Sequence, residues 1–181
     1  MKKTILFLAL AFTTSFAFAQ KKLVTTSATI SFDATTSIDA LPKATNNTAI
    51  ASLDPKTGAV AFEATIKGFN FTNPKIQEHF NGKGWMDSDQ FALATFKGKL
   101  SDLKKVNFKK NGTYKVPVTG ILTIHGVSNA VTSVATVVVN GKKISTNSDF
   151  SIALADYKVS GGAIGAGKVA KNPTINVQAD F

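Results

Sequence analysis

The chain has 181 residues, no cysteine and a formal net charge of +10, from 21 basic and 11 acidic side chains. Without cysteine there is no disulfide framework, no thiol nucleophile, no zinc–thiolate centre and no cysteine-anchored lipid. All 21 basic residues are lysine, so the arginine fork favoured in phosphate and base recognition is missing. A solvated basic surface is expected, and no nucleic-acid partner.

The amino terminus reads as a leader. Met1-Lys2-Lys3 is a short basic start, Ile5 to Phe12 is an unbroken apolar run, and Ala17-Phe18-Ala19 supplies a small-x-small pattern before Gln20. An apolar core this short falls below the ~20 residues of a membrane span and matches a secretory signal over residues 1–19, cleaved after Ala19. The expected product is a single domain, Gln20–Phe181, of net charge +8 once Lys2 and Lys3 are removed. It is expected in the periplasm or outside the cell, with no stable membrane insertion.

From there the rhythm has a period of two. Val24, Thr26, Ala28, Ile30 and Phe32 form one row, and Val60, Phe62, Ala64 and Ile66 follow the turn signal Asp54-Pro55-Lys56-Thr57-Gly58. Asn73 and Pro74 then suit a helix cap and first helical position, with Ile76 and Phe80 one turn apart on one face. This is the one helix expected, short enough to need packing for stability. Ala92, Ala94, Phe96 and Leu100 resume the alternation. Tyr114, Val116, Val118, Leu122 and Ile124 continue it, then Phe150, Ile152 and Leu154, and finally Ile175, Val177, Ala179 and Phe181. Asn111-Gly112 and Asn140-Gly141 lie between such rows, and Asn-Gly favours type I′ hairpins. Val134–Val139 is apolar on both faces except at Thr136, which suits a strand covered on both sides or facing a partner and leaves a homodimer open. Gly161–Gly167 is too glycine-rich for a strand interior and reads as a flexible connection. The fold class expected is all-β, a single antiparallel up-and-down barrel of eight strands with one short helix.

Candidates for chemistry are few. His79 and His125 are the only histidines, and neither has ligand partners at helical or strand spacing, so no metal site is expected. No acid–His–Ser order or nucleophile elbow occurs, so no catalytic residue and no cofactor are expected. The aromatic set says more. Phe62, Ile66, Phe96, Val118, Leu122 and Phe150 fall on inward rows, while Phe69, Phe71, Phe80, Trp85 and Met86 lie near the helix. Read from the residues alone, they serve equally as plain core or as the lining of a pocket.

Two motifs resemble a known family. Glu78-His79-Phe80-Asn81 with Trp85-Met86-Asp87-Ser88-Asp89-Gln90-Phe91 and Ala94-Thr95-Phe96-Lys97-Gly98 is similar to the central signature of the YceI-like family, and Thr119 to Val127 is similar to its "G-x-L-T-I-H-G-V" strand. The resemblance implies a lipocalin-like barrel, exported and non-enzymatic, holding an isoprenoid-like apolar lipid. It makes the eleven residues just named candidate ligand contacts. Gly82 and Gly84 would then free a gate, and Trp85 would touch ligand and lid but little of the deep core. The alternative is a basic surface-interaction or adhesion module whose barrel is merely filled.

Overall fold

Residues 22–181 are described by a computed structural model; the expected leader and its cleavage point lie outside them. The alternating rows become nine strands: β1 (Leu23–Asp33), β2 (Lys43–Leu53), β3 (Ala59–Thr65), β4 (Asn70–Phe71), β5 (Leu93–Leu100), β6 (Gly112–Ile124), β7 (Val127–Asn140), β8 (Lys143–Ser151) and β9 (Thr174–Asp180). Among the described residues there are two α-helices, α1 (Pro74–Asn81) between β4 and β5, and α2 (Gly162–Gly165) between β8 and β9. Each long strand pairs antiparallel with its sequence neighbours, and β1 pairs with both β2 and β9. The eight long strands therefore close into an up-and-down barrel in which each has a strand neighbour on both sides. The two-residue β4 is an appendage, with Ala44 opposite Phe71 on β2.

Several local expectations need correction. No row marked β2, because its inward side switches parity: Ala44 and Asn46 are buried, then Ala49 and Ala51. The switch follows from register shifts against β1 around Ala28, as a bulge produces. Leu154 leaves the strand row for a 3₁₀ turn, Leu154–Tyr157, because β8 ends at Ser151. Asn111-Gly112 is no two-residue hairpin, and neither residue has positive φ. Ser101–Asn111 instead folds across the barrel end, and the Asn111 side chain accepts the Gly141 N–H at 2.8 Å. At the next turn Asn140 pairs with Lys143, so Gly141-Lys142 is the loop. Only Gly141 there has positive φ, 62°, as a II′ turn requires. The two-residue turn with positive φ throughout is His125-Gly126, at 51° and 71°, between the paired Ile124 and Val127.

Helix α1 starts as expected: Asn73 Oδ1 accepts the Lys75 N–H at 2.9 Å and Pro74 is the first residue. The glycine-rich segment, which reads as a flexible connection, holds the single helical turn α2. Gly167, at φ 72°, ends that turn in the left-handed conformation a C′ glycine supplies.

Apolar side chains gather in two clusters. One lies under α1 and includes Phe32, Phe69, Phe71, Phe80, Trp85 and Met86. The other fills the opposite end with Leu53, Leu100, Val106, Val116, Val137 and Ile144. Phe96 and Phe181 pack against both.

Candidate functional site

Between the two clusters lies a cavity of about 120 Å³. Residues of all eight long strands meet there, because period-two alternation sends every second side chain to the axis. Phe62 comes from β3, Phe96 from β5, Val118 and Leu122 from β6, and Phe150 from β8; Phe69, just before β4, completes the group of candidates that reach it. Ile30, Ala94, Ile124, Val131, Ile175, Val177 and Phe181 also line it. The alternating rows contain all of these except Val131, whose strand neighbours on the same side are the polar Asn129 and Ser133, and the rows did not separate lining from core. The polar lining is Ser52, Thr95, Ser133, Thr146, Asn147 and Ser148. No charged side chain is among the lining residues, so the cavity favours apolar matter with a few neutral hydrogen bonds.

The other five candidates, Ile66, Phe71, Phe80, Trp85 and Met86, do not line it. They are buried above the cavity in a plug of packed aromatic rings. Phe80 is its centre: its ring lies 4.9 Å from Phe71, 5.4 Å from Trp85, 6.0 Å from Phe69 and 6.1 Å from Phe32. Such edge and tilted contacts are the favoured aromatic geometries. Trp85, expected to meet little of the deep core, is 8% exposed and also packs on Phe32 and Phe71. The reason is that the turn after α1 folds inward, with Met86 N–H donating to Phe80 O at 3.0 Å. The indole Nε1 finds no hydrogen-bond partner among the described residues.

Gln77 holds this plug to the barrel, a role the sequence did not reveal. Its Nε2 donates to Phe69 O at 2.9 Å, and its Oε1 accepts the Phe71 N–H at 3.0 Å. One side chain thus stands in for a strand partner of β4. Asn46, fully buried on β2, ties the neighbouring turn by donating to Thr65 O at 3.0 Å.

The histidines are far apart in role. His79 is exposed on α1, and His125 packs against Phe91 with the rings tilted by 56° and centroids 4.3 Å apart. Among the described residues no cluster of His and acidic side chains could hold a metal ion.

A family model described as the YceI-like domain matches residues 11–181. Among solved structures, Burkholderia cenocepacia BcnA is 21% identical, with a TM-score of 0.70 over 85% of this chain and 96% of that one. A polyisoprenoid binding domain from Saccharophagus degradans, implicated in plant cell wall breakdown, is 14% identical, with a TM-score of 0.71 over 86% and 93%. The Campylobacter jejuni YceI protein is 24% identical, with a TM-score of 0.54 over 74% and 80%. At these identities the likeness is one of fold. No curated protein matches the chain in sequence.

Proposed function

Because the chain belongs to the YceI-like family, we propose that it is an exported, non-enzymatic carrier that holds a long apolar lipid, isoprenoid-like in chemistry, inside the barrel. The observation that carries this reading is the cavity itself, uncharged and ringed by phenylalanine in the middle of the barrel. The polyisoprenoid binding named for the Saccharophagus domain agrees with that lining. The mechanism is partition: each CH₂-sized group moved from water into such a site gains ~0.8 kcal/mol, so a few five-carbon units offset the cost of association. About 120 Å³ is close to the ~150 Å³ void that accommodates a benzene. A longer chain therefore requires Phe62, Phe96 and Phe150 to turn aside or the plug to lift. Export rests on the basic start, apolar run and Ala17-Phe18-Ala19 of the leader.

Mass spectrometry of an organic extract of the protein purified from its native source tests the carrier reading. An isoprenoid-type lipid in stoichiometric amount is expected; repeated extracts with no lipid, from protein that also takes up none, would sink it. Amino-terminal sequencing should return Gln20 from protein recovered outside the cytoplasm. A surface-interaction role has one observation in its favour, the outward apolar stripe on β6 and β7, where Ile121, Val134 and Val138 are 48%, 53% and 38% exposed. Salt-sensitive binding to anionic surfaces without lipid uptake would favour that role.

A further inference from the structure

Both ends of the barrel are stopped. The aromatic plug closes the α1 end, and Leu103, Val106 and Phe108 on the Ser101–Asn111 crossing pack into the other. The side wall is not uniform. β6 and β7 pair over thirteen residues, from Gly112 opposite Val139 to Ile124 opposite Val127. β7 and β8 pair over only six, ending at Ala135 opposite Ser148. Beyond that point β8 stays with β9 as far as Ser151 opposite Thr174, and Val127–Val134 of β7 has no strand on that side.

The split is bounded at both ends. At its far end Asn129 Nδ2 donates to Asp156 O at 2.8 Å, in the Leu154–Tyr157 turn. At its near end serine hydroxyls replace the missing ladder. Ser133 Oγ lies 3.0 Å from Ser148 Oγ and 2.9 Å from Asp149 O, to which it donates. A depression on the outer surface lies over the split, and Ser133, Asn147 and Phe150 line both that depression and the inner cavity. One layer of side chains separates the cavity from solvent here, where no backbone pairing must break to part it.

We propose that the split between β7 and β8 is the route by which an apolar chain enters and leaves the barrel, and that the uncharged polar end of such a chain rests there on Ser133, Asn147 and Ser148. This rests on the reading of the cavity as the seat of an apolar chain. The rim sets the chemistry of the end group. Hydroxyl and amide side chains can bond an alcohol or carbonyl. Asp149 is the one charged side chain lining the outer depression, and it repels a phosphate.

The chain contains no cysteine, so Ser133→Cys/Ser148→Cys introduces a single thiol pair, at side chains already 3.0 Å apart, which a small shift brings to S–S bonding distance. The probe is radiolabelled farnesol, with farnesyl diphosphate as competitor. Oxidising the double variant should slow farnesol release at least ten-fold, and dithiothreitol should restore it. Farnesyl diphosphate should compete at least ten-fold less well than unlabelled farnesol. Equal release from the oxidised and reduced forms overturns the route, and equal competition by the diphosphate overturns the assignment of the end group. Should the pair not fold, Val134→Trp, which fills the outer depression from an exposed position, decides the route in the same terms. Wild-type protein that takes up no farnesol overturns the cavity reading and the route with it, whereas uptake with unchanged release overturns the route alone.

Discussion

The ring of Phe96 lies across the backbone of Gly120, so close that a β-carbon on Gly120 would stand 2.5 Å from Phe96 Cζ. Gly98, paired with Gly120 across β5 and β6, is in the same position, and its β-carbon would stand 2.6 Å from that atom. The two glycines form a floor that lets a phenylalanine lie flat against the wall and leaves the cavity open above it.

Gly120→Ala should therefore push the Phe96 ring into the cavity. The added carbon would also meet Lys97 O at 2.5 Å, so the backbone must shift as well, and a loss of ~1–3 kcal/mol or more is expected for such overpacking. Lipid uptake should fall in the folded fraction. Adding Phe96→Ala should relieve only the ring clash, leaving a stability deficit from the backbone contact. Denaturant titrations of the single and double variants, with uptake measured in parallel, check this.

Trp85→Ala should cost more stability than Phe96→Ala. The indole is buried against three aromatic rings, so its loss falls in the ~3–5 kcal/mol range for large core aromatics. Phe96 is half-buried and borders the cavity, so its truncation should cost ~3 kcal/mol or less, with the enlarged cavity then accepting a bulkier ligand. Thermal melts that rank the two variants the other way would remove Trp85 from the core.

Gln77→Ala should loosen the plug without touching an apolar contact. It leaves the Phe69 carbonyl and the Phe71 N–H without their side-chain partner, a loss of ~1–3 kcal/mol if water does not replace it. Gln77→Glu retains only the acceptor and should fall between. Hydrogen exchange at the Phe71 amide is the direct readout: it should accelerate in Gln77→Ala, which removes the acceptor, and far less in Gln77→Glu, which keeps it, while β6 amides stay protected in both.

Among the groups whose pKa the fold shifts, Asp33 and Tyr157 give stability a dependence on pH at the acid and alkaline ends. The Thr35 backbone N–H, 2.9 Å from Asp33 Oδ1, and the Thr35 side chain hold the Asp33 carboxyl below the usual carboxylate range. A depressed acid stabilises the fold above its unfolded pKa, and that contribution is lost as pH falls below about 4. Burial pushes the Tyr157 phenol upward, with the neighbouring Asp156 charge adding to it. Its neutral form is favoured in the fold, so the contribution is intact at neutral pH and is lost as pH rises beyond about 10. Tyr157→Phe should leave the acid limb unchanged and flatten the alkaline one relative to wild type in denaturant midpoints measured from about pH 2 to 11.

The barrel was legible because alternation survives on most strands: Phe32, Phe62, Phe96, Leu122, Phe150 and Ile175 all face inward as their rows require. β2 was hidden because a bulge broke its parity and its inward residues are alanine and asparagine rather than aromatics. The division of the candidates into lining and plug was not legible. Phe80 and Phe96 carry the same side chain on an inward face, and only the fold of the turn after α1 decides which meets other rings and which meets empty space. Gln77 was equally silent, since its work depends on where β4 docks. The early parting of β7 from β8 leaves no mark in either strand's own pattern.

The strand that closes the wall sets a condition on how the protein can be made. Asp33 on β1 must find Thr174 on β9, and Thr29 must find Gln178. A chain emerging from its amino terminus cannot seal the cylinder until the ninth strand has appeared. Every earlier length is an open, curved sheet with its phenylalanine face uncovered and two unpaired borders, a species prone to self-association. Such long-range closure is slow compared with local hairpin formation. A truncation before Thr174 would thus leave no smaller barrel, only an apolar sheet that has lost the surface needed to close it.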